Sequence, residues 1–146
     1  MTTILILNGP NLNMLGLREP SIYGTATLAD IDELCASACR DAGFEADCRQ
    51  SNHEGELVTW IQQASQEPIG GVVINAGAYT HTSVAIHDAL RLLKCPIAEV
   101  HLSDPKTREP FRHHSYIEPL AFISVCGQGP EGYRKAIQAL AAKLKH

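Results

Sequence analysis

The chain has no excess of basic charge, no long apolar run and no paired-cysteine motif. Its 146 residues carry 12 Lys and Arg against 16 Asp and Glu, a formal net charge of -4. That balance argues against a nucleic-acid partner or an anionic membrane surface. No apolar stretch nears the roughly 20 residues needed to span a bilayer. The first residues also lack the basic and small-residue pattern of a secretory signal. Five cysteines is an odd number, and none stands as Cys-x-x-Cys. Cys35 and Cys39, four apart, suit two packed thiols on one helix, and the chain reads as a cytoplasmic protein with reduced thiols. A Walker loop, a Gly-x-Ser-x-Gly elbow and a His-Glu-x-x-His pair are missing too, and no Gly-x-Gly-x-x-Gly is expected to open a helix, which weakens nucleotide binding, serine hydrolysis and zinc chemistry.

What is present is a long, polar connection near the N-terminus. The apolar run Thr3–Leu7 has the character of a buried strand, and a helical pattern begins near Thr27. Between them, Asn8 to Gly24 reads NGPNLNMLGLREPSIYG. Strand-to-helix turns in compact α/β domains usually take roughly two to six residues. Longer ordered loops at that position are more often functional than idle, and this one holds Asn11, Asn13, Arg18 and Tyr23.

The rest of the chain alternates. Strand-like runs fall at Thr3–Leu7, Phe44–Arg49, Gly71–Asn75, Ile97–His101 and Ala121–Cys126. Helical patterns fall near Leu28–Ala42, Glu54–Gln66, Thr82–Leu92 and Gly129–Leu144. Leu28, Ile31, Leu34, Cys35 and Ala38 make an apolar stripe on the first long helix, and Tyr133, Ile137, Leu140 and Leu144 make one on the last. Thr27 suits an N-cap, and Gly43 the position just past a helix end. Alternating βαβ units imply a parallel sheet covered on both faces. The expectation is a single domain over residues 1–146: an α/β, flavodoxin-like, doubly wound five-stranded parallel sheet in three α/β/α layers. The strand order 2-1-3-4-5 follows by analogy with that class.

In such a sheet, ligands bind outside the carboxyl ends of the strands. The polar residues least expected in a core gather there. Asn11, Arg18 and Tyr23 follow strand one; Asn75 and the Ala78–Ser83 run follow strand three; Glu99, His101, Leu102 and Ser103 end strand four, with Arg108 and Arg112 beyond. Glu99 and His101 are two apart on a strand, so they share a face. A carboxylate there favours the imidazolium and suits the histidine to donate a proton; a purely structural Glu–His bond is the competing reading. His81 is expected at a helix start, where the dipole disfavours a charged imidazole. His113 and His114 beside Arg112 invite a metal, weakly. Lys106 stands in an exposed loop and the other lysines lie away from the strand ends, so a Schiff base is poorly supported.

Four blocks carry a resemblance to a known family: LNGPNLNMLGLREPSIYG from Leu7, QSNHEGELVTWI from Gln50, INAGAYTHTSVAIHDAL from Ile74, and EVHLSDPKTREPFRHHSY from Glu99. In this order they resemble the type II 3-dehydroquinate dehydratases across essentially the whole chain. The resemblance implies a lyase that converts 3-dehydroquinate to 3-dehydroshikimate with no cofactor and no metal. It implies an anti elimination through an enolate, with Tyr23 as base and His101 as acid. Arg18 would favour the phenolate, Glu99 would support His101, and Asn11 would hold a water near the enolate oxygen. Asn75, Ser103 and the backbone at Leu102 would take the carboxylate and a neighbouring hydroxyl, and His81 and Arg112 the ring hydroxyls. Asp88 would reach a neighbouring subunit's site, because the family builds dodecamers from trimers. The loop at about 11–24 would act as a lid.

An ordinary tyrosine has a pKa of about 10, so a tyrosine base needs a cation beside it. Arg18 meets that need in the family pattern, with Arg108 and Arg112 as further candidates. The departures are Asp104 where Asn is common, Pro110 where an acid is frequent, and Gln128 in a glycine-rich turn that often carries Phe. None replaces a residue with an implied chemical role. Two other classes compete: a flavodoxin-like small-molecule binding module without turnover, and a metal hydrolase built on Glu99, His101, His113 and His114.

Overall fold

The computed structural model describes residues 1–17 and 19–145. Five parallel strands, β1 (Thr3–Asn8), β2 (Glu45–Gln50), β3 (Gly71–Asn75), β4 (Ile97–His101) and β5 (Ile123–Cys126), form one sheet in the order β2-β1-β3-β4-β5. This is the flavodoxin-like arrangement expected from the alternating pattern. β3 and β4 have the bounds read from their apolar runs; β5 starts two residues later than Ala121, after a 3-10 turn over Glu118–Leu120.

The central strands are buried on both faces, so they read as unbroken apolar runs. Ile4 and Ile6 of β1 join Val73, Ala98 and Val100 against α2 (Leu28–Asp41) and α5 (Glu131–Leu144). Leu5 and Leu7 join Val72 and Ile74 against α3 (Glu54–Ser65) and α4 (Val84–Leu90) on the opposite face. Edge strand β2 is only half-buried, and Asp47 and Arg49 pair along it at 2.9 Å. A charge pair on an edge strand discourages pairing with another chain.

Local chemistry sets the helix ends. Thr27 caps α2 in a reciprocal box with Asp30: the Thr27 hydroxyl accepts from the Asp30 amide, and the Asp30 carboxylate accepts from the Thr27 amide. Gly43 follows α2 at φ 88°. On α2, Ile31, Cys35, Ala38 and Cys39 are buried, and both cysteines are free thiols. α4 starts at Val84, two residues later than expected, because the Ser83 hydroxyl accepts the Ile86 amide at 2.9 Å and makes Ser83 the cap.

Strand order reverses between β1 and β3, which lie side by side with Asn8 opposite Asn75. The backbones beyond them converge closely: a Cβ on Gly9 would stand 2.4 Å from the Ala76 carbonyl oxygen. Only glycine fits this crossing. The crevice outside it is where a doubly wound sheet binds ligands.

Candidate active site

A cleft with about 130 Å³ of room for water-sized molecules opens at this reversal, lined by residues from the ends of β1, β3 and β4. Asn11, Tyr23, Asn75, His81, His101, Leu102, Ser103, Arg108 and Arg112 all face it. The loop after β1 is not irregular throughout: it contains a 3-10 turn at Leu12–Met14 and a short helix, α1, at Pro20–Tyr23. Tyr23 ends α1, half-buried against the core on the α2 side. The Arg108 guanidinium lies over the Tyr23 ring, 5.2 Å from its centroid. Arg18 lies outside the described residues, so Arg108 is the cation described beside this tyrosine.

His101 and Glu99 are almost fully buried. His101 Nε2 lies 2.8 Å from Glu99 Oε2, which also accepts from the Ser115 hydroxyl at 2.7 Å; Ser124 donates to Oε1 at 2.7 Å. Burial alone pushes the Glu99 carboxyl up, but the bond to His101 and its charge, with the two serine hydroxyls, outweigh it. The carboxyl is held below its ordinary value. A carboxylate with every strong partner satisfied fixes the imidazole ring in place.

His81 stacks near His101, with ring centroids 6.4 Å apart. It ends a 3-10 turn, Gly77–His81, instead of starting a helix. Its Nδ1 lies 2.8 Å from the His114 carbonyl oxygen, which can only accept, so Nδ1 carries the proton. Its pKa is lowered as expected, but burial is the main cause and not a helix dipole, with the nearby His101 and Arg112 adding to it against the bond to His114. Arg112 is held by the Glu109 carboxylate at 3.2 Å, and Arg108 reaches the Ser103 hydroxyl at 3.4 Å. Two guanidiniums therefore border one side of the cleft, a setting for an anionic substrate.

Asp88 sits exposed on α4 and does not line its own chain's cleft. His113 bonds the Arg108 carbonyl at 2.9 Å, and His114 packs edge-on against Tyr116. Among the described residues, no group of three or more His, Cys, Asp or Glu side chains gathers as a metal-ligand set.

Several supporting residues are not singled out by sequence motifs. Asn11 takes the left-handed conformation at φ 68°, and its amide donates to Asn52 Oδ1 at 2.9 Å. The Asn52 carbonyl accepts from the Tyr79 hydroxyl at 2.7 Å, and Gln50 donates to the Gly9 carbonyl at 3.1 Å. The β2–α3 turn thus anchors the start of the long loop. Contrary to the expectation that no Gly-x-Gly-x-x-Gly opens a helix, the turn after β5, Gly127-Gln128-Gly129-Pro130-Glu131-Gly132, spells that pattern ahead of α5. That spacing resembles a dinucleotide fingerprint, but the amides of Gly127 and Gly129 are already used. Gly127 donates to the carbonyls of His101 and Ser103, Gly129 donates to Leu102, and Pro130 has no N–H. The turn buttresses the end of β4.

A doubly wound sheet with a histidine–carboxylate pair and a cation-backed tyrosine at its switch point defines a small-molecule enzyme of the α/β class. The Dehydroquinase class II family profile matches residues 2–141. A 3-dehydroquinate dehydratase of Rhodopseudomonas palustris (strain TIE-1) is 61% identical over 142 residues, covering 97% of this chain and 94% of the relative. One from Mesorhizobium japonicum is 57% identical over 145 residues, covering 99% of this chain and 100% of the relative. The crystal structure of the type II dehydroquinase from Propionibacterium acnes superposes with a TM-score of 0.93 at 42% identity, covering 97% of each chain. The chain belongs to the class II dehydroquinase family.

Proposed function

We propose that this class II dehydroquinase reversibly dehydrates 3-dehydroquinate to 3-dehydroshikimate by an anti elimination, with Tyr23 as base and His101 as acid. The proton on C2 is acidic because it neighbours the C3 ketone. Tyr23 as phenolate takes that proton, and the C2–H electron pair moves into the carbonyl to give an enolate. The enolate then collapses: the C1=C2 bond forms, the C1–O bond breaks, and His101 protonates the departing hydroxyl, which leaves as water. With Nε2 committed to Glu99, the proton transferred is the one on Nδ1. The proton on Tyr23 and the vacancy on His101 are reset through solvent. No amine and no resident cofactor enters this sequence.

The observation that carries this reading is the convergence on one cleft of Tyr23 under Arg108 and of His101 against Glu99. A permanent cation near a tyrosine favours the phenolate, and a buried carboxylate favours the imidazolium. Arg18 adds to the cationic field in this reading. Asn11 holds a water by the enolate oxygen. Asn75, Ser103 and the Leu102 backbone take the substrate carboxylate and its neighbouring hydroxyl; His81 and Arg112 take the ring hydroxyls.

The chain works as one catalytic domain, with residues 11–24 as its lid. It assembles as trimers into a dodecamer, in which Asp88 supports a neighbouring subunit's site, and it acts in the cytoplasm. Among the described residues no helix is long and apolar enough to cross a membrane, and the net negative charge disfavours nucleic acid. Addition of 3-dehydroquinate tests the activity by ultraviolet absorbance of the conjugated enone. A rising signal, with no adduct trapped by borohydride, is expected. A flat trace from folded protein overturns the activity, and a lysine adduct overturns the imine-free route.

A further inference from the structure

Tyr133 lies on α5, completely buried, within an apolar stripe. Its ring packs in the core, but its hydroxyl reaches the carboxyl edge of the sheet. There it donates to Asn8 Oδ1 at 2.5 Å and accepts from Asn75 Nδ2 at 3.0 Å. Burial drives the Tyr133 phenol strongly upward, so the hydroxyl keeps its proton.

The sense of every bond in this group is forced. The Gly77 amide can only donate, and it lies 3.2 Å from Asn75 Oδ1, so the oxygen of the Asn75 amide must face it. The nitrogen then faces Tyr133, whose oxygen must accept. The single tyrosine proton must therefore go to Asn8, where it meets an oxygen. Asn75 is only 3% exposed and lines the cleft. Nδ2 carries two N–H groups, and among the described residues only Tyr133 accepts from it.

Apolar side chains at both Tyr133 and Asn8 would avoid burying the phenol and the second amide, and Asn8 Nδ2 finds no partner among the described residues. A buried polar group left unpaired is destabilising, so a network that tolerates one is poorly explained by stability. We propose that Tyr133, held by Asn8, is a positioning residue that fixes the Asn75 amide so that its second N–H meets the substrate carboxylate. This rests on the reading that Asn75 binds substrate.

The test is a double-mutant cycle in steady-state kinetics with 3-dehydroquinate, using Asn75→Ala, Tyr133→Phe and the double variant. Asn75→Ala is expected to raise KM about tenfold or more, the worth of a hydrogen bond to a charged group. Tyr133→Phe is expected to raise KM about threefold or more, with kcat within about twofold, and to add nothing in the Asn75→Ala background. An unchanged KM for Tyr133→Phe, or the same multiplication of KM in both backgrounds, overturns the positioning role. Asn75→Ala with unchanged KM instead overturns the placement of Asn75 at the substrate, and the inference with it. Asn8→Leu reads the same relay from its other end if Tyr133→Phe does not fold. It must raise KM in the wild-type background and not in Asn75→Ala; an unchanged KM overturns the relay.

Discussion

Glu99 Oε2 and His101 Nε2 stand 2.8 Å apart on the same face of β4, both almost fully buried. Because the strand alternates faces with a period of two, this pair is fixed by backbone geometry and requires no loop to close. The acid half of the site is therefore assembled before substrate arrives, and it lies at the end of a strand held on both sides. The tyrosine comes from the long loop after β1 and depends on how that loop packs.

The pair carries a pH signature. The Glu99 carboxyl is held below its ordinary value, so the unfolded chain takes up a proton at this group before the folded chain does. Stability from Glu99 is complete above about 4.5 and is lost as pH falls through the depressed folded value. Denaturant unfolding at stepped pH should show that loss in the wild type. In Glu99→Gln the acid-side slope should be shallower, and kcat should fall about tenfold or more because the ring loses its charged partner. An unchanged slope and unchanged kcat together contradict the assignment.

Arg108 should matter to the chemical step. Its guanidinium lies over the Tyr23 ring and also reaches Ser103. A desolvated cation–aromatic contact contributes about 2 kcal/mol or more. Arg108→Ala is therefore expected to lower kcat/KM by about tenfold or more. Steady-state kinetics check this; a loss confined to KM with kcat unchanged would assign Arg108 to substrate binding alone.

Gly9→Ala tests the crossing that shapes the cleft. Its new Cβ would fall 2.4 Å from the Ala76 carbonyl oxygen, which belongs to backbone and cannot swing aside. Overpacking of this kind costs about 1–3 kcal/mol. A lower Tm and a raised KM are expected together, since Ala76 follows Asn75 directly. Thermal unfolding and kinetics on the same preparation read both, and a variant as stable as wild type would show that β1 and β3 can separate without loss.

Much of this is visible in the chain. The apolar runs of β3 and β4 announce buried strands, Thr27 and Gly43 mark the ends of α2, and a spacing of two places Glu99 beside His101. What escapes is chemistry that depends on contacts across the sheet. Tyr133 reads as one more residue of an apolar stripe, because nothing local reveals that its hydroxyl meets Asn8 and Asn75, 125 and 58 positions away. His81 reads as a helix-start residue because the capping role of Ser83 is not distinguishable from that of Thr82 by residue type. The Gly127–Gly132 turn has a nucleotide-loop spacing, and only the hydrogen bonds to His101, Leu102 and Ser103 show that its amides serve the site from behind.

Tyr23→Phe bears most directly on the central claim that Tyr23 is the base. The substitution removes one oxygen and keeps the ring that Arg108 covers. Enone formation from 3-dehydroquinate should fall by about a hundredfold or more, the usual contribution of a positioned base, while calorimetric affinity for the substrate stays within about threefold. Turnover by Tyr23→Phe at close to the wild-type rate would contradict the account.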